Sequence, residues 1–191
     1  SPATHALNYG TGVFEGIRAY WSEERGTLQV LKLREHYERF ERSCRLLRIE
    51  LPNTVEELCE VTLEILSRNA PRKDTYVRPL AYKATESVGV NLKGETELSI
   101  FTVPMGNYVE LTGLKVCVSS WRRTPDNAIP ARAKCTGSYV NTALAVDEAH
   151  MAGYDDAIFL TQDGQVSEAS AANIFLIRKG QLITPPVTAD I

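Results

Sequence analysis

No apolar run in the 191 residues approaches the ~20 needed for a membrane-spanning helix, and no signal-peptide pattern opens the chain. A bilayer partner is therefore not expected. The four cysteines (Cys44, Cys59, Cys117, Cys135) show no C-x-x-C spacing, and the three histidines (His5, His36, His150) lie far apart. That pattern excludes a zinc ribbon or a disulfide framework as the reading and makes a reducing cytoplasm the expected compartment. Charge of one sign is lacking too. Against 21 Lys and Arg stand 24 Asp and Glu, a net charge of −3 with a pI near 5.7, so nothing calls for nucleic acid as a partner. Internal repeats and low-complexity segments are absent, as are the P-loop G-x-x-x-x-G-K-[ST] and the nucleophile elbow G-x-S-x-G. "GTGVFEG" (10–16) is one residue off the dinucleotide fingerprint and precedes a strand instead of linking strand to helix, so its glycines are read as turn and close-approach positions.

What is present is a foldable mixture, 43% hydrophobic and 24% charged. "GVFEGIRAYW" (12–21) alternates as a strand, with Phe14, Gly16, Arg18 and Tyr20 on one face and Val13, Glu15, Ile17 and Ala19 on the other. "EERG" turns it back into "TLQVLKL" (27–33). Leu33, Tyr37, Phe40, Cys44 and Leu47 then recur at intervals of 4, 3, 4 and 3, one face of an amphipathic helix. Thr54 and Glu57 form a capping box that opens a second helix running to about Asn69. "TYVRPLAYKA" (75–84) is a strand, and its Pro79 argues for an edge or a bulge. Strands at 96–104 and 114–121 follow, then a long irregular passage, a helix from about Ser138 to Ala152, and the strands "DAIFLT", "NIFLIRK" and "QLITPP" with turns at Asp163-Gly164 and Lys179-Gly180. Long loops inside compact domains tend to carry function.

Lys134 lies in that irregular passage, in "IPARAKCTGSYVNTALA", among small side chains. An amine becomes a nucleophile at neutral pH when desolvation lowers its pKa, and small neighbours leave room for a flat molecule against the backbone. By frequency alone, however, a loop lysine is a surface charge. Glu168, in "VSEASAANIF" between two strands, is a second charge embedded in small residues. A lysine carrying a pyridoxal cofactor needs a carboxylate at the pyridine nitrogen and an arginine-like anchor for the phosphate. Read on its own, Glu168 serves equally well as a surface charge at a hairpin end.

Five stretches decide between these readings: "HALNYGTGVFEGIRAY", "LREHYERF", "TYVRPLAY", "SSWRRTPDNAIPARAKCTGSYVNTALA" and "GQVSEASAANIFLI" with "LITPP". In this order, from His5 to Pro186, they resemble the branched-chain amino acid aminotransferases, pyridoxal-phosphate enzymes of fold-type IV. The resemblance implies an α+β, D-amino acid aminotransferase-like two-domain architecture with the C-terminal domain truncated. The implied division is a small α/β domain over 1–107, a linker over 108–113, and the start of a larger cofactor-binding domain over 114–191. The chain carries no initiator Met and stops at "TPPVTADI", and we expect it to be incomplete.

Residue by residue, Lys134 resembles the lysine that links covalently to pyridoxal 5'-phosphate and then shuttles a proton. Glu168 resembles the carboxylate at the pyridine nitrogen, Tyr139 the tyrosine at the cofactor's phenolic oxygen, and Arg39 the phosphate-binding arginine. On the helix Arg39 sits roughly 120° from the apolar stripe, where a solvated charge is the ordinary reading, so its role comes from the resemblance alone. Phe14, Tyr76, Tyr108 and Arg78 resemble the substrate pocket, with aromatic walls for an aliphatic side chain and an arginine for the carboxylate of glutamate. Tyr9 and Val90 resemble residues that reach a neighbouring subunit's active site, which implies a homodimer or higher homo-oligomer. Met105 departs from the pattern, replacing a bulky aromatic common in relatives. The implied reaction is ping-pong transfer of the amino group between L-leucine, L-isoleucine or L-valine and 2-oxoglutarate. D-amino acid aminotransferase and aminodeoxychorismate lyase, of the same fold group, and a truncated non-catalytic domain are the alternatives.

Overall fold

The structure is a computed structural model and describes residues 1–106 and 112–191. These residues form two compact units. The first takes the chain up to the undescribed segment together with the returning stretch Ala133–Gly137, and the second takes the rest.

The first unit opens with a short helix α1 (His5–Tyr9), which the sequence reading did not anticipate because five residues show no periodicity. A five-stranded sheet follows, built from β1 (Gly12–Phe14), β2 (Ile17–Ser22), β3 (Thr27–Val30), β4 (Thr75–Lys83) and β5 (Thr96–Pro104). Its core face is covered by α2 (Leu33–Leu46) and α3 (Val55–Asn69). Val13, Ile17, Ala19, Val77 and Ala81 from the strands meet Tyr37, Phe40 and Cys44 from α2 and Leu58 and Leu66 from α3, all buried. The stripe read from the sequence is thus the face that packs. Both halves of the expected capping box are formed at Thr54 and Glu57.

Two expectations about the sheet are corrected. The single strand expected over 12–21 is interrupted at Glu15 and Gly16, although β1 and β2 keep one common register against β4, Phe14 opposite Leu80 and Ile17 opposite Val77. Pro79 lies neither on an edge nor in a bulge, because β4 is interior, paired with β1 and β2 on one side and β5 on the other. One fact explains both. In an antiparallel ladder a residue's N–H and C=O point to the same neighbour. The Pro79 carbonyl accepts from the Glu15 N–H at 3.0 Å, so the bond that proline cannot donate is the one owed to Glu15. The ladder breaks there and resumes two residues on.

The second unit holds a three-stranded sheet of β6 (Val116–Arg122), β7 (Asp156–Leu160) and β8 (Val166–Ala169). Strands β6 and β7 are parallel and joined by α4 (Tyr139–Met151), a right-sized crossover whose Ala145 and Ala149 pack on Ala157 and Phe159. The hairpin of β9 (Leu176–Arg178) and β10 (Gln181–Ile183) turns at Lys179 and Gly180 as expected. Strand β8 was missed by the sequence reading, which placed Glu168 between strands. Its Ser and Ala side chains are too small to signal a strand, and pairing with β7 creates it.

Removing the Thr54 hydroxyl in Thr54→Ala unseats one half of the capping box, and we expect a loss of about 1 kcal/mol in urea denaturation.

Candidate active site

The chain path seats Lys134. Ala133–Gly137 returns to the first unit and lies along the edge of β1. Val13 bridges Cys135, the Phe14 N–H donates to the Lys134 carbonyl at 3.1 Å, and the Lys134 N–H donates to Ser43 Oγ at 3.2 Å. Thr136 Oγ1 accepts from the Gly12 N–H at 3.1 Å and donates to the Gly10 carbonyl at 2.9 Å. Gly10 ends α1 in the left-handed conformation (φ 64°), and a Cβ on it would stand 2.6 Å from Gly137 Cα, so both strain and space require glycine. The cause of the return is backbone pairing with β1, which composition does not reveal.

The Lys134 side chain is half-buried, and its Nζ stands 5.1 Å from the centre of the Phe14 ring. The neighbouring thiol is no rival nucleophile: burial pushes Cys135 up to about 11 and Cys44 up to about 12.

Phe14, Tyr76 and Arg78 are brought together. Tyr76 and Arg78 share the half-buried face of β4, and the β1–β4 register brings Phe14 beside them. The Arg78 guanidinium lies 4.2 Å from the Phe14 ring centre and 5.1 Å from that of Tyr76, and its Nε donates to Tyr76 Oη at 3.0 Å. Gly16 makes this possible, since a Cβ there would stand 2.6 Å from Tyr76 Oη. Arg18, across from Tyr76, donates from Nη2 to the Gly106 carbonyl at 2.8 Å. Tyr108 lies outside the described residues.

The Tyr9 ring lies 4.7 Å from that of His5, tilted by 52°, and its hydroxyl accepts from the Gly89 N–H at 3.0 Å. Val90, next to that contact, is 80% exposed. Met105 follows β5 and donates its N–H to the Asp74 carbonyl at 3.0 Å.

Arg39 is half-exposed, as the helix geometry foretold, but it is not merely solvated. Its Nε donates to Glu15 Oε1 at 2.6 Å and its Nη2 to Oε2 at 2.7 Å, while His36 Nδ1 lies 2.9 Å from Oε2. Burial pushes the Glu15 carboxyl up, but the hydrogen bonds from His36 and Arg39, with their charges, outweigh it and hold the pKa at about 2. Sequence reasoning passed over Glu15 and His36. The signal was available, a carboxylate on the apolar face of an alternating strand, which can stay there only if paired.

In the second unit Glu168, on β8, is largely buried and accepts at Oε1 from Arg123 Nη2 at 2.5 Å. Arg123 also lies 5.3 Å from the Phe159 ring centre. Tyr139 is the first residue of α4 and half-buried. The nominated residues therefore divide, with Lys134, Arg39, Phe14, Tyr76 and Arg78 in the first unit and Tyr139 and Glu168 in the second. As a donor set they offer a primary amine for an aldehyde, a guanidinium for a phosphate and a carboxylate for a pyridinium N–H, which fits pyridoxal phosphate.

The Glu15 linkage has a defined sign. Its folded-state pKa lies below the unfolded value, so its contribution is complete above pH ~4.5 and is lost as pH falls towards ~2. We expect Glu15→Gln to lower the urea midpoint near pH 6, by on the order of 3 kcal/mol in stability, and the gap from wild type to close as pH drops through that window.

Comparisons with known proteins bear on this set. Residues 12–191 match the model of the amino-transferase class IV family. The chain is 47% identical over 184 residues to a probable branched-chain-amino-acid aminotransferase of Aquifex aeolicus, covering 95% of this chain and 59% of that protein. To the branched-chain-amino-acid aminotransferase of Escherichia coli K12 it is 36% identical over 193 residues, covering 98% of this chain and 62% of that one. Among solved structures, the Thermoproteus uzoniensis branched-chain aminotransferase with norvaline superposes at a TM-score of 0.95 with 41% identity, over 100% of this chain and 64% of that chain. The T.th. branched-chain amino acid aminotransferase complexed with N-(5'-phosphopyridoxyl)-L-glutamate superposes at 0.91 with 39% identity, over 100% and 62%. The chain thus spans about three-fifths of the length of the relatives it matches. A family match over nearly its whole length, together with the fold these structures share, shows that this chain belongs to the class IV aminotransferases and is built on the fold-type IV architecture.

Proposed function

We propose that this protein is a pyridoxal-phosphate-dependent branched-chain amino acid aminotransferase, moving the amino group between L-leucine, L-isoleucine or L-valine and 2-oxoglutarate in two half-reactions. The observation that carries the reading is the seating of the Lys134 amine against Phe14, whose ring also meets Arg78, which in turn bonds Tyr76. An amine, two aromatic walls and a carboxylate-binding guanidinium on one sheet face suit a substrate with an aliphatic side chain in one half-reaction and an acidic one in the other. The similarity to branched-chain aminotransferases supports the same assignment.

Pyridoxal phosphate, when bound, supplies the electron sink for amino-group transfer. Lys134 binds it through Nζ and moves a proton at the same atom. Arg39 binds the phosphate, Tyr139 directs its hydroxyl to the phenolic oxygen, and Glu168 holds the proton on the pyridine nitrogen. Phe14, Tyr76 and Tyr108 exclude water around the aliphatic side chain, and Arg78 receives the distal carboxylate. Tyr9 and Val90 serve a neighbouring subunit, so the working unit is a homodimer or larger, placed in the cytoplasm. The domain division we propose remains a small domain over 1–107, a linker over 108–113 and a larger domain from 114. Among the described residues no helix is long and apolar enough to cross a membrane.

The central test is spectroscopic. Adding pyridoxal phosphate to the full-length protein should give the visible absorbance of a lysine-bound cofactor, bleached by L-leucine and not by D-alanine. Lys134→Ala should lose it, and an unchanged spectrum would remove Lys134 from its role. For the pocket, Gly16→Ala should displace the Tyr76 hydroxyl and lower kcat/KM for L-leucine by about tenfold, read by steady-state kinetics; unaltered kinetics would exclude Tyr76 from the pocket.

A further inference from the structure

We infer that Glu15 is a positioning residue for phosphate recognition, holding the Arg39 guanidinium in the orientation that meets the cofactor. The inference rests on the reading of Arg39 as the phosphate contact and extends it to a residue with no place in that reading.

Glu15 is wholly buried on the core face of the broken β1–β2 strand. A charge there is strongly disfavoured unless it is paired and hydrogen-bonded. Among the described residues it is met by Arg39 through two short bonds of 2.6 and 2.7 Å, by His36 at 2.9 Å, and by the Gly16 N–H at 3.3 Å. Neutralising a core carboxylate requires one cation in any geometry. What is found is more specific, a side-on fork through Nε and Nη2, which fixes the guanidinium plane and leaves the Nη1 edge on the side away from the carboxylate.

Arg39 is also unlike its neighbours on the helix. Arg34 and Arg45 pair with exposed glutamates, Glu56 and Glu41, and their own side chains are 56% and 70% exposed. Such pairs hold little orientation. Arg39 keeps 47% of its side chain exposed although its partner is 0% exposed. One end of the guanidinium is therefore anchored in the core while much of the side chain faces outward. Ordering an arginine costs rotamer entropy, and here that ordering precedes the anion. The Pro79 break contributes as well, because it places Glu15 at a ladder gap next to the edge where Ala133–Gly137 seats Lys134.

The test separates phosphate recognition from general damage by using two probes on the full-length apoprotein, pyridoxal phosphate and pyridoxal, with equilibrium binding followed by absorbance. The ratio of the two affinities measures what the phosphate contributes. We expect Glu15→Gln to lower that ratio by about tenfold while pyridoxal affinity stays within about twofold. Arg39→Lys, which has no fork, should lower it at least as much, and the double variant no further than Arg39→Lys alone. If Arg39→Lys lowers the ratio and Glu15→Gln does not, the inference fails and the role of Arg39 stands. If Arg39→Lys leaves the ratio unchanged, the phosphate reading itself fails and takes the inference with it. Equal loss of both ligands in Glu15→Gln assigns Glu15 a purely structural role and also overturns it. Should Glu15→Gln not fold, Glu15→Asp and His36→Asn carry the test, since each loosens the fork without removing the charge. A selective loss of about threefold in either supports the inference, and no selective loss in both overturns it.

Discussion

The pairing of Ala133–Gly137 with the edge of β1 is the constraint that sets where Lys134 stands. Lys134 has no helix or regular strand of its own to fix it. It is held instead by backbone bonds to Phe14 and Ser43, by the Val13–Cys135 bridge and by the close approach of Gly10 to Gly137. A flexible four-carbon side chain can deliver its amine reproducibly only if its Cα is fixed, and these contacts fix it. The same strand edge carries Phe14, so the amine and the aromatic wall beneath it are positioned by a single element.

A proline inside a sheet would ordinarily be a defect. At Pro79 the missing donor falls opposite Glu15 and nowhere else, so β4 stays interior and only two residues of its partner leave the ladder. Those two residues then take on separate duties. Glu15 turns its carboxylate to α2, and Gly16 leaves room for the Tyr76 hydroxyl. The interruption thus supplies an anchored arginine on the core face of the sheet and room for the Tyr76 hydroxyl on the other.

Much of this was legible in the sequence. Periodicity gave the two helices over the first sheet, the capping box and strands β4 and β5 nearly to the residue, because burial on one face imposes a clear alternation. Ordered motif matches nominated Lys134, Arg39, Tyr139 and Glu168. What escaped the reading was partnership across long sequence separations. Nothing near Arg39 announces Glu15, nothing near Glu168 announces Arg123, and a ladder with β7 turns a run of small residues into β8. Those pairings are decided by tertiary structure, although a glutamate on an otherwise apolar strand face was a signal that could have been followed.

The return of Ala133–Gly137 also bears on how the protein reaches its native state. The contacts that seat Lys134 join residues 91 positions apart at Ser43 and 124 apart at Gly12. Closing such loops costs entropy that the contacts with β1 and α2 must offset. The docking of Lys134, the amine proposed for the chemistry, is thus a long-range event that raises the contact order of the fold.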